Sequence, residues 1–179
     1  MKTYEIYDDT NEEVLNILKH GITENMFDSK KLSLNYLYKY KDNPGNLFYG
    51  LKNGRYKKGC YFVVVDENDN YLASAGWNSY NHNTALLLTR MFVVPKLRGS
   101  YILAKTVLQK MIDQSSDYKK RWLTFNEYNL ALYKWFERVH EGKRGALFND
   151  WPEIYSRFKP IGTKQINQTL QYVVELKNE

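Results

Sequence analysis

The longest apolar pattern in the chain lies between Leu86 and Ile112. The segment from Ala85 to Val94 is apolar with few interruptions, which is typical of a central strand covered on both faces. Pro95 ends this pattern, and Ser100 to Ile112 repeats apolar residues at the spacing of an amphipathic helix. The pattern therefore predicts a strand that passes through a short basic turn directly into a helix.

The same reading locates the other elements. Alternation and short apolar runs predict strands at Lys2–Tyr7, Tyr61–Val65, Tyr71–Trp77, Arg121–Phe125, Ile154–Phe158 and Leu170–Leu176. Helical spacing predicts a helix capped by Thr10 that ends near Gly21, a second helix from about Glu24 to Tyr40, and a third over Leu130–Val139. Helices between strands in the second half imply parallel pairing. We therefore expect a single domain over residues 1–179 of class α/β (α+β): a mixed, partly parallel twisted sheet of about six to seven strands flanked by about four helices.

Composition agrees with a folded chain that needs no cross-links or metal. Of the 179 residues, 43% are hydrophobic and 16% aromatic, which argues against disorder. The single cysteine, Cys60, excludes an internal disulfide, and the three histidines lack metal-ligand spacing. The sequence contains neither an apolar run of membrane-spanning length nor the apolar core of a signal peptide at its N-terminus. We therefore expect a cytoplasmic protein.

The net charge of +6 favours acidic partners such as the phosphates of a cofactor, nucleic acid or an acidic protein surface. The charge is uneven, because Lys30 to Cys60 holds eight Lys or Arg against one Asp, interleaved with five Tyr. Basic and aromatic residues mixed in this way can bind nucleic acid. They can equally form the solvated face of a helix followed by a loop. Both interpretations remain open from the sequence.

The basic turn after Pro95 is the strongest candidate for a binding site. A helix that begins directly after a strand has backbone N–H groups without intrahelical partners in its first turn. These donors and the positive end of the helix dipole attract phosphate oxygens, and Lys96 and Arg98 add positive charge beside them. The segment therefore predicts a site for a phosphorylated cofactor.

Two segments resemble motifs of the GNAT family, the Gcn5-related N-acetyltransferases. MFVVPKLRGS is similar to the family's strand-loop-helix motif, in which a Val-x-Pro strand end precedes a loop of the form Gln/Arg-x-x-Gly-x-Gly/Ala. LTFNEYNLALYKWFER resembles the next motif, with Asn126, Tyr133 and Phe136 at the expected places. The order of elements matches over most of the chain. The resemblance implies the GNAT-like acyl-CoA N-acyltransferase fold.

The resemblance also implies an activity and its residues. The donor would be acetyl-CoA or another acyl-CoA, and the acceptor an amine. The implied CoA contacts are the backbone of Met91 and Val93 for the pantetheine arm, Lys96 and the amides of Arg98, Gly99, Ser100 and Ile102 for the pyrophosphate, and Asn126 for the CoA arm. Tyr133 would be the general acid that protonates the leaving thiolate. The candidates for the general base are His82, Glu127 and His140, or a chain of water molecules.

The chain departs from the family pattern at the loop. Lys96 replaces Gln or Arg, Tyr101 lies where the second Gly or Ala is expected, and Leu103 replaces a further Gly. These departures leave two functions to compare. One is an acyl-CoA N-acyltransferase whose acceptor is not a polyamine. The other is a catalytically decayed GNAT-like scaffold that binds nucleic acid or a partner protein through the basic stretch from 30 to 60.

Overall fold

A computed structural model describes residues 1–6, 10–27, 59–80, 85–98, 101–116, 119–143, 157–166 and 168–178. Its strands are β1 (Lys2–Ile6), β2 (Gly59–Val65), β3 (Tyr71–Tyr80), β4 (Ala85–Val93), β5 (Arg121–Phe125), β6 (Phe158–Ile166) and β7 (Thr169–Leu176). The helices in these residues are α1 (Glu12–Phe27), α2 (Tyr101–Gln114) and α3 (Leu130–His140). None of these helices has the length and apolar character needed to cross a membrane.

The strands form one mixed sheet in the order β1-β2-β3-β4-β5-β7-β6. The pair β4–β5 is parallel, whereas β1–β2, β2–β3, β5–β7 and β6–β7 are antiparallel. The predicted fold class, with its mixed and partly parallel sheet, is therefore confirmed. Of the predicted helix from Glu24 to Tyr40, the part beyond Phe27 lies outside the described residues.

The chain divides into two compact units, and β4 contributes to both. The first unit comprises Met1–Asn78 and Arg90–Gln114, and the second comprises Ser79–Thr89 and Ser115–Glu179. The expected single domain over residues 1–179 stays a prediction.

The first unit has its core between α1 and the strands β1 and β2. This core consists of the buried residues Ile6, Leu18, Ile22, Val63 and Val65. Asn11 caps α1, since its side-chain oxygen accepts a hydrogen bond of 2.8 Å from the backbone N–H of Glu13. The prediction that Thr10 is the N-cap was therefore wrong by one residue, because Asn11 supplies the capping oxygen.

Gly21 does not end the first helix, as the sequence pattern predicted. Helix α1 continues through it to Phe27, because Gly21 serves close packing rather than chain reversal. A Cβ atom at this position would overlap the ring of Tyr71. The Tyr71 hydroxyl shares a hydrogen bond of 2.7 Å with the Ser74 hydroxyl, which holds that ring in place. Glycine thus lets α1 approach β3 closely.

The second unit packs α3 against one face of its strands. The ring of Phe136 lies 5.9 Å from that of Phe125 and 5.3 Å from that of Phe158, measured between centroids. Because successive side chains of a strand alternate between faces, Trp122 lies on the face opposite to Phe125. There it packs with three other buried residues, Leu87, Ile166 and Val173.

Most of the strand predicted over Ile154–Phe158 lies outside the described residues, and the strand that the structure describes here, β6, runs from Phe158 to Ile166. Pro160 and Gly162 disrupt the strand pattern of this segment. An edge strand tolerates both residues, and β6 lies at one end of the strand order. The pairing with β7 shifts in register between Pro160 and Thr163, and Gly162 has a φ of 85°, as expected for a bulge.

Replacing Gly21 by alanine should destabilise the protein. In an ordinary helix the change Gly→Ala stabilises by about 1 kcal/mol. Here the added methyl overlaps a fixed ring, so we expect Gly21→Ala to lower the free energy of unfolding by about 1–3 kcal/mol, measured by urea denaturation. Asn16→Ala, at an exposed position of α1, is the control and should leave stability nearly unchanged. A stabilised Gly21→Ala variant would contradict this packing.

Candidate functional site

The described part of the predicted phosphate loop is a short turn of 3-10 helix after β4. Pro95–Leu97 forms this turn, and proline suits the first position of a helix because its φ is already helical. The backbone N–H of Leu97 donates to Val94 O at 3.0 Å, and that of Arg98 donates to Pro95 O at 3.2 Å. Helix α2 begins at Tyr101, so the strand, basic turn and helix follow one another as predicted.

One edge of β4 presents the backbone groups of Met91 and Val93. The Val94 N–H donates to the carbonyl oxygen of Leu72 in β3 at 3.0 Å. The Val93 carbonyl belongs to the same trans peptide and points the opposite way, away from β3. Alternation along the strand directs Met91 to that same edge. The parallel pairing of β4 with β5 covers Leu86 to Leu88, so it ends before both residues.

Two cations lie on the turn that follows this edge. Lys96 and Arg98 are both exposed. The Arg98 Nε donates a hydrogen bond of 3.2 Å to the carbonyl oxygen of Val93. Hydrogen bonds from Asn70 and Asn68 lower the pKa of the Asp66 carboxyl, and the positive charge of Lys96 lowers this pKa further. The turn is therefore basic, and its shape is fixed by its own hydrogen bonds.

These residues of the first unit fit an acyl-CoA molecule. A pantetheine arm carries amides that can pair with an extended backbone edge, which Met91 and Val93 supply. A pyrophosphate needs cations and N–H donors. Lys96 and Arg98 supply the cations, and Ile102 lies in the first turn of α2, where backbone N–H groups lack intrahelical partners.

Asn126 lies where β5 turns into α3. Its carbonyl oxygen accepts the backbone N–H of Asn129 at 3.0 Å, and its side-chain oxygen accepts the amide of Asn129 at 3.2 Å. These bonds close the 3-10 turn Glu127–Asn129. Glu127 is exposed on that turn. Asn126 therefore shapes the connection that precedes Tyr133, and Glu127 is a solvated carboxylate beside it.

Tyr133 is buried on α3, with its hydroxyl fixed by a backbone group. Its side chain is 4% exposed, and its ring lies 5.1 Å from that of Tyr172. Its oxygen accepts a hydrogen bond of 3.1 Å from the N–H of Gly162 in the β6 bulge. Burial raises the pKa of Tyr133, Gly162 opposes this effect, and Glu137 adds to it through its charge and a hydrogen bond. The phenol therefore keeps its proton at neutral pH.

The structure groups the predicted site residues by unit. The first unit holds Met91, Val93, Lys96, Arg98 and Ile102, and the second holds Asn126, Glu127 and Tyr133. His82, Gly99, Ser100 and most of the basic stretch from 30 to 60 lie outside the described residues. In the part of the chain that the structure describes, no cluster of His, Cys, Asp and Glu is suited to a metal ion.

Sequence reasoning missed two groups that surround Tyr133. Glu137 lies one helical turn after it, a spacing that brings side chains together on a helix. That spacing was available as a signal. The Gly162 N–H was not foreseeable, because it depends on a bulge in a segment where the sequence pattern predicted no strand.

No protein-family model matches this sequence, and no curated protein matches it. Solved structures match it along nearly its whole length. The ribosomal-protein-alanine N-acetyltransferase of Brucella melitensis is 15% identical with a TM-score of 0.64, covering 99% of this chain and 100% of that one. The PaiA N-acetyltransferase of Thermoplasma acidophilum, in complex with coenzyme A, is 13% identical with a TM-score of 0.63 and the same coverage.

A third match is an acetyltransferase of the GNAT family from Staphylococcus aureus MU50. It is 15% identical with a TM-score of 0.57, covering 98% of this chain and 100% of that one. These likenesses show that the chain has the fold of the GNAT acetyltransferases, as the sequence motifs predicted.

Removing the Glu137 charge should lower the pKa of Tyr133, because that carboxylate disfavours the tyrosinate. The measurement is a pH titration by NMR of protein labelled at the tyrosine ring carbons, with the Tyr133 signal assigned from Tyr133→Phe. In the wild type this signal should titrate above the ordinary value of 10.0, and in Glu137→Gln it should titrate lower. Lys134→Gln, at an exposed position of the same helix, is the control for a general change of charge.

The folding contribution of Tyr133 follows from the same shift. A pKa that is raised in the folded state gives stability that is present at pH values below the unfolded pKa and lost as the pH rises through the folded pKa.

An unchanged Tyr133 titration in Glu137→Gln would contradict the contact between these two side chains.

Proposed function

We propose that this chain is an acyl-CoA-dependent N-acyltransferase that moves an acetyl group to an amine. The observation that carries the proposal is the edge of β4. Met91 and Val93 lie beyond the residues that pair with β5, and a basic turn follows them on a fold shared with acetyltransferases. One of these relatives was solved in complex with coenzyme A, which supports acetyl-CoA or another acyl-CoA as the donor.

The donor would be held mainly by the main chain. The backbone groups of Met91 and Val93 would bind the amides of the pantetheine arm. The turn and the start of α2 would bind the pyrophosphate through Lys96 and the amides of Arg98, Gly99, Ser100 and Ile102. Asn126 is proposed to help orient the CoA arm. Main-chain binding tolerates side-chain change, which is consistent with a loop that departs from the family pattern at Tyr101 and Leu103.

The proposed general acid is Tyr133. Bound acetyl-CoA would supply the acetyl group and a thiolate leaving group, which needs a proton as the carbon–sulfur bond breaks. A phenol is a suitable donor because its pKa is close to that of a thiol. The Gly162 N–H donates to the Tyr133 oxygen, and the hydroxyl donates to the Glu137 carboxylate, so the phenol would turn its proton from Glu137 to the thiolate as the carbon–sulfur bond breaks. The same N–H would stabilise the tyrosinate that remains.

The proposed base must take a proton from the amine. Glu127 is a candidate, since it is an exposed carboxylate directly after Asn126. His82 is the second candidate, since imidazole titrates near neutral pH. A water chain needs no dedicated residue, because positioning of the two reactants alone supplies a large part of the rate.

The acceptor is proposed to be an amine other than a polyamine. The Brucella melitensis relative acts on an alanine of a ribosomal protein, as its name states. This supports an amine on a polypeptide as one class of acceptor to test in the assay. The net charge of +6 disfavours a polycationic acceptor by like-charge repulsion.

Acetyl-CoA should bind the protein in isothermal titration calorimetry, and Tyr133→Phe should affect turnover rather than this binding. We expect kcat to fall about 100-fold, as for loss of a general acid, with the Kd for CoA unchanged within about twofold. Activity is followed with free thiol as product and a set of peptide amines as acceptors. Tyr4→Phe is the matched control, because Tyr4 bonds to Asp69 in the first unit.

Two results would contradict the proposal in different ways. Equal kcat in Tyr133→Phe and wild type would remove Tyr133 from the mechanism but leave the activity. A wild-type protein that fails to bind CoA at millimolar concentration would contradict the activity itself. In that case, steeply salt-dependent binding of nucleic acid would favour the alternative, a decayed scaffold that acts through the basic stretch from 30 to 60.

A further inference from the structure

On the proposed donor site, the carbonyl oxygen of Val93 would serve two different groups. If the proposed function holds, on which this inference rests, this oxygen faces the pantetheine arm, because it points away from β3. In the structure it already accepts the Nε of Arg98 at 3.2 Å. The edge that should accept a pantetheine amide is therefore partly occupied by a side chain of the protein itself.

The Arg98 side chain is suited to leave this position. It is exposed, so its hydrogen bond to a neutral carbonyl adds little net stability, on the order of 1 kcal/mol. Within the described residues no carboxylate forms an ion pair with Arg98, in contrast to Lys2, Lys19, Lys110 and Lys143. Phosphate oxygens offer a guanidinium charge-assisted, bidentate bonds that are stronger than a single bond to a carbonyl.

We propose that Arg98 couples recognition of the two ends of the acyl-CoA donor. Its guanidinium moves from the Val93 carbonyl to the pyrophosphate when the donor binds, and this movement frees the carbonyl for the pantetheine amide. A donor without phosphates leaves Arg98 on Val93 and binds an edge with one acceptor fewer. The protein thereby selects CoA thioesters over thioesters of pantetheine alone.

Coupling of this kind is reciprocal and can be measured with the two halves of the donor separately. A ligand that draws Arg98 away from Val93 must raise the affinity for pantetheine by the same factor as pantetheine raises the affinity for that ligand. Inorganic pyrophosphate carries the charge without the pantetheine arm, and pantetheine is neutral, so neither attracts the other electrostatically.

The experiment measures pantetheine binding by NMR amide shifts, with and without saturating pyrophosphate. In the wild type, pyrophosphate should tighten pantetheine binding about threefold to fivefold, which is the factor for one hydrogen bond regained. In Arg98→Met the side-chain length is similar but all donors are absent. This variant should bind pantetheine about threefold to fivefold more tightly than wild type without pyrophosphate, and pyrophosphate should add nothing further.

Lys96→Met is the matched control. It removes the same charge from the same turn but not the contact with Val93, so it should weaken pyrophosphate binding and retain the coupling. Lys105→Met, at an exposed position of α2, should behave as wild type in every titration.

The failures of this inference and of the proposed function are distinguishable. If the wild type binds CoA but pyrophosphate leaves pantetheine affinity unchanged, the carbonyl accepts both bonds at once and the coupling is overturned while the donor site stands. If Arg98→Met weakens pantetheine binding, Arg98 only supports the turn, and the inference is again overturned. If the wild type binds neither CoA nor pantetheine, the proposed function and the inference fall together.

Discussion

The candidate donor site depends on one constraint, the alternation of backbone groups along β4. A residue in a strand directs its N–H and C=O to one edge, and its neighbours direct theirs to the other. Val94 forms its hydrogen bond with Leu72 of β3, so Met91 and Val93 are directed to the opposite edge. The pantetheine contacts and the contact of Arg98 with Val93 both follow from this geometry. A shift of one residue in the pairing with β3 would reverse all of them.

The candidate acid in the second unit depends on main-chain geometry as well. Tyr133 is buried, and a buried hydroxyl requires a partner. Gly162 provides it from a bulge in an edge strand, where the backbone has turned its N–H out of the ladder. The donor edge in one unit and the phenol in the other thus both rely on backbone groups that, among the described residues, lie outside the regular pairing with a neighbouring strand.

Two differences between the sequence prediction and the structure fall at residues that ordinarily interrupt secondary structure. Gly21 resembled a helix end, but α1 passes through it because the ring of Tyr71 occupies the space of a side chain. Pro160 and Gly162 disrupted the pattern of β6, yet an edge strand accommodates both. In each case the decisive fact was a neighbour distant in sequence. Local propensity cannot report such a neighbour, since it describes a residue without its packing partners.

The sequence by itself determined the mixed, partly parallel sheet and the order of strand, basic turn and helix around Pro95. Apolar periodicity and the effect of proline are local properties, so they can be recognised in the sequence. The two motifs, one of which contains Asn126 and Tyr133, are continuous in sequence and can be recognised for the same reason. Only the tertiary structure decided which edge of β4 presents its backbone, that Arg98 contacts Val93, and that Gly162 fixes the Tyr133 oxygen. These facts depend on strand register and on a bulge, because hydrogen bonds between strands and turns are set by where distant segments align.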